Sequence, residues 1–158
     1  MNKKTRNVVL TAIVGAVPLI GGYLMLPMAL VPAVALANME AVTFPKLESL
    51  VHYTTVRRGV TREHMLTNQT AIDAIQAGQP VPTGTHIVLV DHQSDVLARY
   101  LVAEKTGDGP GDWAYQAFTP ERAIKSDDES PARCYSCHQS RQERQYMFTY
   151  NDARSFKP

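Results

Sequence analysis

Cysteine is scarce in this chain, which has only Cys134 and Cys137 among its 158 residues. A framework of several disulfides is therefore excluded, and the fold has to rest on its hydrophobic core. A structural zinc site needs about four ligands, and the chain offers no second cysteine or Cys/His pair to complete one. The sequence also lacks internal repeats and low-complexity segments.

An excess of charge of either sign is missing as well. The chain has 16 basic and 15 acidic residues, and removal of residues 1–37 would take three basic residues and leave 13 against 15. A slightly acidic domain of this kind lacks the basic surface that nucleic-acid binding requires. We therefore expect no nucleic-acid partner, and about 120 residues remain to form one domain with one core.

The two cysteines belong to the run Cys134-Tyr135-Ser136-Cys137-His138. Two thiols at this spacing can each form a thioether with one vinyl group of the same porphyrin, and C-x-x-C-H is the attachment signature of haem c. The histidine that follows would be the axial ligand of the iron. Two alternatives remain, a redox dithiol and half of a metal site with His138 uninvolved. The late position of the run disfavours a thioredoxin-like dithiol.

The N-terminal segment has the pattern of an export signal. Basic residues near the start precede a stretch without charge from Val8 to Met39, and Ala35 and Ala37 form a small-x-small pattern that a signal peptidase cleaves. We predict a leader over residues 1–37 and a haem domain over 38–158, located in the periplasm. The alternative is an uncleaved anchor in the inner membrane, because the apolar run is long enough to span a bilayer.

The rest of the chain alternates in the manner of short strands joined by turns. Strands are predicted over 50–56, 85–90, 96–104 and 113–118. Helices are predicted over 71–77, ended by Gly78, and over 139–144 after the haem motif. The fold class that follows is α+β, a small antiparallel β-sheet with a few helices and one covalently attached haem c.

These segments resemble the cytochrome P-460 family, mono-haem c-type proteins that include a hydroxylamine-oxidising cytochrome and the gas-binding cytochromes c′-β. The matching segments are, in order, 71–74, 78–85, 112–115, the haem motif and 146–149. The resemblance implies a haem that lies against a small sheet, and often a homodimer.

One position separates this chain from the hydroxylamine-oxidising members, in which a strand lysine bonds covalently to the porphyrin edge. Counted from Gly84, that position is Leu89 here, and no lysine occurs between Lys46 and Lys105. The resemblance is therefore closer to the gas-binding type than to the lysine-cross-linked enzymes.

Candidates for the surroundings of the iron follow from strand alternation. Ile87 and Leu89 share one strand face and, with Phe118, are the candidates for an apolar distal pocket, the alternative being ordinary sheet core. Other side chains could instead supply a sixth ligand, namely Met65, Met147, His52, His64, His86 and His92. Guanidinium groups match carboxylates, so the candidate partners of the haem propionates are Arg57, Arg58 and Arg133.

These residues predict an exported mono-haem cytochrome, five-coordinate, that binds NO or another small diatomic gas. Two other functions stay open. A sixth ligand would favour a periplasmic electron carrier with a redox partner, which the acidic stretch Asp127–Glu129 could orient. A haem oxidoreductase acting on hydroxylamine, NO or peroxide is the third, although we identify no acid/base pair for it and predict no catalytic residue.

Overall fold

The computed structural model describes residues 42–125 and 130–158. Five strands form one antiparallel sheet in chain order: β1 (Val51–Arg58), β2 (Thr61–Thr67), β3 (His86–Gln93), β4 (Val96–Lys105) and β5 (Trp113–Phe118). Three α-helices accompany the sheet: α1 (Gln69–Gln76), α2 (Pro131–Gln139) and α3 (Tyr150–Ser155). The predicted α+β class is confirmed. The predicted leader and the acidic stretch Asp127–Glu129 lie outside the described residues.

Three elements differ from the sequence-based expectations. The composition does not predict β2, because Arg62, Glu63 and His64 make it polar, yet Glu63, Met65 and Thr67 are buried in alternation. In place of the helix predicted over 139–144, the structure has α2, which begins at Pro131 and contains the haem motif, and a separate short 3-10 helix, Gln142–Arg144. The C-terminal segment, for which the sequence predicted no element, forms α3. Among the described residues, no helix is long and apolar enough to cross a membrane.

The two faces of the sheet bury different clusters of side chains. On one face, Met65, Ile87 and Tyr115 pack with Ile72 of α1 and Ala153 of α3. On the other face, the cluster includes Val42, Val88, Tyr100, Val102, Ala114 and Phe118, with Phe44 packed against it. Alternate residues of a strand project to opposite faces, and the two clusters show that β3 divides as expected, with Ile87 on one side and Val88 on the other. The first of these faces is called the helix-covered face below.

Candidate functional site

Helix α2 presents the two cysteines and the histidine of the C-x-x-C-H run at the helix-covered face. Ser130 caps its N-terminus, the hydroxyl accepting from the Arg133 amide at 3.3 Å, and proline suits the first helical position that follows. Residues three apart on a helix lie on the same side, so Cys134 and Cys137 project together. Cys134 is half-buried and Cys137 is exposed. The helix therefore places both thiols on one side.

His138, the last part of the run, is held in one tautomer. Its Nδ1 lies 2.6 Å from the carbonyl oxygen of Tyr146. A carbonyl can only accept, so Nδ1 carries the proton and the neutral ring keeps its lone pair on Nε2. Burial lowers the pKa of His138, an effect that the hydrogen bond to Tyr146 opposes. A neutral imidazole whose other nitrogen is fixed by a backbone carbonyl is the usual form of a metal-ligating histidine.

The Tyr146 carbonyl reaches His138 through a turn with unusual backbone angles. Gln145 and Tyr146 have φ values of 53° and 65°, in the left-handed region that side chains other than glycine rarely adopt. The Gln145 side chain secures the turn, because its Oε1 accepts from the Val81 amide at 2.6 Å and its Nε2 donates to the Gln79 carbonyl at 3.1 Å. Strain of this kind persists where the surroundings over-determine it, often at functional sites.

An apolar cleft of about 80 Å³ lies between α2 and the sheet. The residues that line it come from β2, β3, β4, β5 and α2, and they are Met65, Ile87, Leu89, Leu101, Val102, Ala103, Tyr115, Gln116, Cys134 and His138. A second cavity of about 200 Å³ lies beside the same helix and is lined by Arg133, Cys134, Cys137 and His138. Cys134 and His138 line both cavities. The structure thus brings Ile87 and Leu89 to the cleft that the cysteine and histidine run borders.

Phe118 is not brought to this cleft, and the structure corrects its placement. Its ring packs edge-on against Phe44, with the ring centroids 5.1 Å apart, in the cluster on the opposite face of the sheet. Strand alternation explains the difference, since the face of β5 that reaches the cleft carries Tyr115 and so excludes residue 118. The register of β3, β4 and β5, in which Ile87 pairs with Ala103 and Ala103 with Tyr115, decides this, and the composition of β5 alone does not reveal it.

Tyr115 is one of five residues lining the cleft that the sequence did not single out. Its ring lies 4.6 Å from the His138 ring, centroid to centroid, and only 4% of the residue is exposed. Its hydroxyl is buried and has no hydrogen-bond partner among the described residues. Burial raises the pKa of this phenol, so it stays protonated and able to donate. The only available signal was its position two residues after Trp113, on the same strand face.

The three arginines predicted as propionate partners are separated in the structure. Arg133 lines the cavity beside Cys137 and His138. Arg58 pairs with Glu63, and Arg57 lies opposite Arg62 at the far end of the β1–β2 hairpin. Only Arg133 is therefore placed at the candidate site. Arg133 is also the one of the three that directly precedes the cysteine and histidine run in the sequence.

The candidate sixth ligands also separate. Met65 lines the cleft, whereas Met147 is 3% exposed and packs in the core without lining it. The rings of His52, His64 and His92 contact one another edge to face, and His86 lies 3.5 Å from Glu104. None of these four histidines lines the cleft. Of the candidates considered, only Met65 lies on its wall.

Comparison with known proteins gives one finding at this site. The family model Cytochrome P460 matches residues 98–149. This match supports the predicted resemblance to that family. The matched segment contains β5, α2 and the Tyr146 turn. These parts carry the cysteine and histidine run and the residues that contact His138. No curated protein matches the chain. The cytochrome P460 family implies a haem c cofactor.

The residues of the site fit such a cofactor. The thiols lie on one side of a single helix, and the Nδ1 bond to Tyr146 leaves His138 Nε2 as a free donor atom for a metal. The cleft wall formed by Ile87, Leu89 and Leu101 is apolar and suits a porphyrin face. The donor set, one imidazole beside two thiols at haem-attachment spacing, therefore matches haem c as the family implies.

Proposed function

We propose that this chain is an exported mono-haem c-type cytochrome of the gas-binding type, with five-coordinate iron that binds NO or a similar small diatomic ligand. In this proposal Cys134 and Cys137 form the two thioethers, and His138 is the single protein ligand. Arg133 pairs with a haem propionate. The haem supplies an iron site that binds small neutral diatomics where no protein ligand occupies the sixth position. The observation that carries the proposal is the fixed tautomer of His138 beside an apolar cleft.

The cleft wall supports a ligand-binding role over catalysis. Ile87 and Leu89 offer neither a strong ligand nor a proton donor, and the residues lining the cleft include no lysine. Lys105, at the end of β4, is buried and donates to the carbonyls of Gly107 and Gly109, so its amine is already engaged. Acid–base chemistry on a bound substrate needs a group within hydrogen-bond reach. Apart from Cys134 and His138, which this proposal assigns to the haem, the described wall supplies only the Tyr115 hydroxyl and the Gln116 amide.

The test is the visible spectrum of the purified ferrous protein before and after addition of CO or NO. A broad high-spin band that shifts with the gas is the expected result, because it reports an open iron position. A sharp low-spin spectrum that is indifferent to gas would contradict the proposal. A strongly red-shifted ferrous Soret band would instead indicate a cross-linked macrocycle and an enzyme of the hydroxylamine-oxidising type.

His138 is tested by His138→Ala, which removes the imidazole and leaves both thiols in place. We expect covalently bound haem whose ferrous spectrum has lost the features of histidine ligation. His52→Ala is the matched control, since His52 is exposed and lies away from the cleft, and its spectrum should equal that of the unmodified protein. An unchanged spectrum in His138→Ala would show that another residue binds the iron.

The second candidate function is electron transfer, and the position of Met65 on the cleft wall favours it. A thioether as sixth ligand would give a six-coordinate iron that carries electrons and excludes gases. Met65→Leu tests this with little change in volume, and Met147→Leu is the control at a buried methionine that does not line the cleft. If only Met65→Leu converts a low-spin spectrum into a gas-sensitive one, the protein is an electron carrier.

A further inference from the structure

The sheet face opposite the cleft carries a row of three basic residues. Arg57 of β1 lies directly opposite Arg62 of β2, which lies directly opposite His92 of β3. Directly paired residues of antiparallel strands project to the same face, with Cβ atoms about 4.5–5.5 Å apart. Residues an odd number of positions apart on a strand project to opposite faces. Arg62 has this relation to Met65 on β2, and His92 has it to Leu89 on β3. The basic row therefore projects away from the haem site.

Two further histidines extend the positive surface. The His64 ring lies 5.2 Å from that of His52 and 5.4 Å from that of His92, centroid to centroid. The Thr55 hydroxyl joins the first pair, 2.9 Å from His52 Nε2 and 2.9 Å from His64 Nδ1. Burial, then the two neighbouring histidines, then Arg62 and Arg57 lower the pKa of His64. These five groups therefore act on one another electrostatically.

The arrangement leaves donors without acceptors. Like charges placed directly opposite in a sheet destabilise it, and the carboxylate paired with this row, Asp95, bonds Arg62 at 2.7 Å while remaining 79% exposed. Arg62 Nε and His92 Nδ1 are both buried and have no hydrogen-bond partner among the described residues. An arginine Nε is always a donor. Arg62 Nε is thus a buried donor without an acceptor among the described residues, on a residue that pairs directly with His92 across the strands.

We propose that the row of Arg57, Arg62 and His92 binds a small oxyanion, of the carboxylate, phosphate or sulfate class, independently of the haem site. Arg57 and Arg62 line a cavity of about 460 Å³ together with Ser94 and Asp95 of the β3–β4 turn, and His92 lies beside Arg62 on the neighbouring strand. The Ser94 amide donates to the Val60 carbonyl at 3.0 Å and ties the two hairpin turns together. Arg57 and Arg62 are thus residues of a concave site, which suits a small anion better than it suits a flat acidic protein surface.

The binding should strengthen as the pH falls. The charged and titratable groups at the row are Arg57, Arg62, His52, His64 and His92, with Asp95 as the paired acid. The arginines stay positive throughout, while each histidine that gains a proton adds a charge-assisted donor or a nearby positive charge. Sulfate is the suitable probe, because its double charge does not change between pH 6 and pH 8.

The experiment is a calorimetric titration of the haem-loaded protein with sulfate at pH 6 and pH 8, with chloride at equal ionic strength as the reference. We expect saturable binding that is tighter at pH 6. Arg62→Gln should weaken it at least about tenfold, the scale on which single contacts to charged groups act. His92→Gln should reduce the difference between the two pH values. Arg154→Gln, at an exposed position of α3, should bind as the unmodified protein does.

Folding measurements separate a binding role from a structural one. Removal of one like charge from the row should leave the stability of Arg62→Gln in sulfate-free buffer unchanged or raised, and sulfate should stabilise the unmodified protein through preferential binding. Equal affinities in Arg62→Gln and Arg154→Gln would overturn the proposal. So would an effect that chloride reproduces, or binding of polyaspartate without binding of sulfate, which would assign the row to an acidic macromolecule.

Discussion

Two buried tyrosines differ in how their hydroxyl groups are satisfied. The Tyr53 hydroxyl lies 2.6 Å from the Thr149 hydroxyl and joins β1 to the residue before α3. The Tyr115 hydroxyl, in the cleft, has no such partner among the described residues. Removing a hydroxyl that is hydrogen-bonded in the core leaves its partner unsatisfied and lowers the free energy of unfolding. Removing a buried hydroxyl that has no partner leaves no other group unsatisfied. The two phenols are therefore a matched pair for measuring what each hydroxyl contributes.

We expect Tyr53→Phe to lower the free energy of unfolding by about 1–2 kcal/mol, because it leaves Thr149 without its partner in the core. Tyr115→Phe should change the same quantity by less than about 0.5 kcal/mol, as a shape-conserving change at a hydroxyl without a partner. Urea unfolding followed by circular dichroism measures both. Equal losses of free energy of unfolding in the two variants would show that the Tyr115 hydroxyl has a hydrogen-bond partner in the haem-loaded protein.

At the scale of elements, the proximal side depends on a turn that two parts of the chain build together. The Tyr146 carbonyl that binds His138 belongs to the left-handed pair Gln145–Tyr146. Gln145 connects that pair to the segment after α1 through two hydrogen bonds, to Gln79 and Val81. The segment after α1 thus supports the histidine on α2 without contacting it, and Gln145 is a positioning residue in this sense.

Gln145→Ala removes both hydrogen bonds and leaves the Val81 amide without its acceptor. We expect a loss of about 1–3 kcal/mol in the free energy of unfolding, together with a shifted ferrous spectrum, since the partner of a ligating imidazole tunes the metal site. Gln145→Glu is the graded control, because it keeps an acceptor for Val81 and loses only the donor to Gln79. A destabilised Gln145→Ala protein with an unaltered spectrum would mean that the turn has no influence on His138.

How far the sequence predicts the site depends on whether the determinant is local. The C-x-x-C-H spacing is local, and the alternation of β3 correctly put Ile87 and Leu89 on one face, which the structure brings to the cleft. Phe118 required the register of β5 on β4, in which Tyr115 pairs with Ala103. The left-handed turn at Tyr146 contains no glycine, the residue by which such a turn is usually predicted. The position of Phe118 and the turn at Tyr146 both depend on contacts between segments that are far apart in the sequence, so a short stretch of sequence does not predict them.

For the whole molecule, the sheet separates two chemically different faces. The helix-covered face carries the apolar cleft and His138, and the other face carries the basic row at one end of the sheet. A sheet separates residues of one strand by their parity, so β2 and β3 contribute to both sites without sharing a side chain. Substitutions in the basic row should therefore leave the haem spectrum unchanged, which makes the two proposals independent.

The stability of the whole molecule should fall on both sides of neutral pH, for opposite reasons. Burial, with the neighbouring cations, lowers the pKa of His64 in the folded state. The unfolded chain then binds the proton more readily, so stability is present above the ordinary histidine pKa of about 6.5 and is lost as the pH falls below it. Burial raises the pKa of Tyr53, so the unfolded chain ionises first and stability is lost as the pH rises above about 10.

Thermal unfolding measured from pH 5 to pH 11 in chloride buffers tests this profile. His64→Gln should make the acid side shallower and leave the alkaline side unchanged, because glutamine does not titrate. Tyr53→Phe should do the reverse, with a lower unfolding temperature at neutral pH from the lost bond to Thr149. If the unfolding temperature of His64→Gln falls as steeply below neutral pH as that of the unmodified protein, the loss of stability in acid comes from other groups.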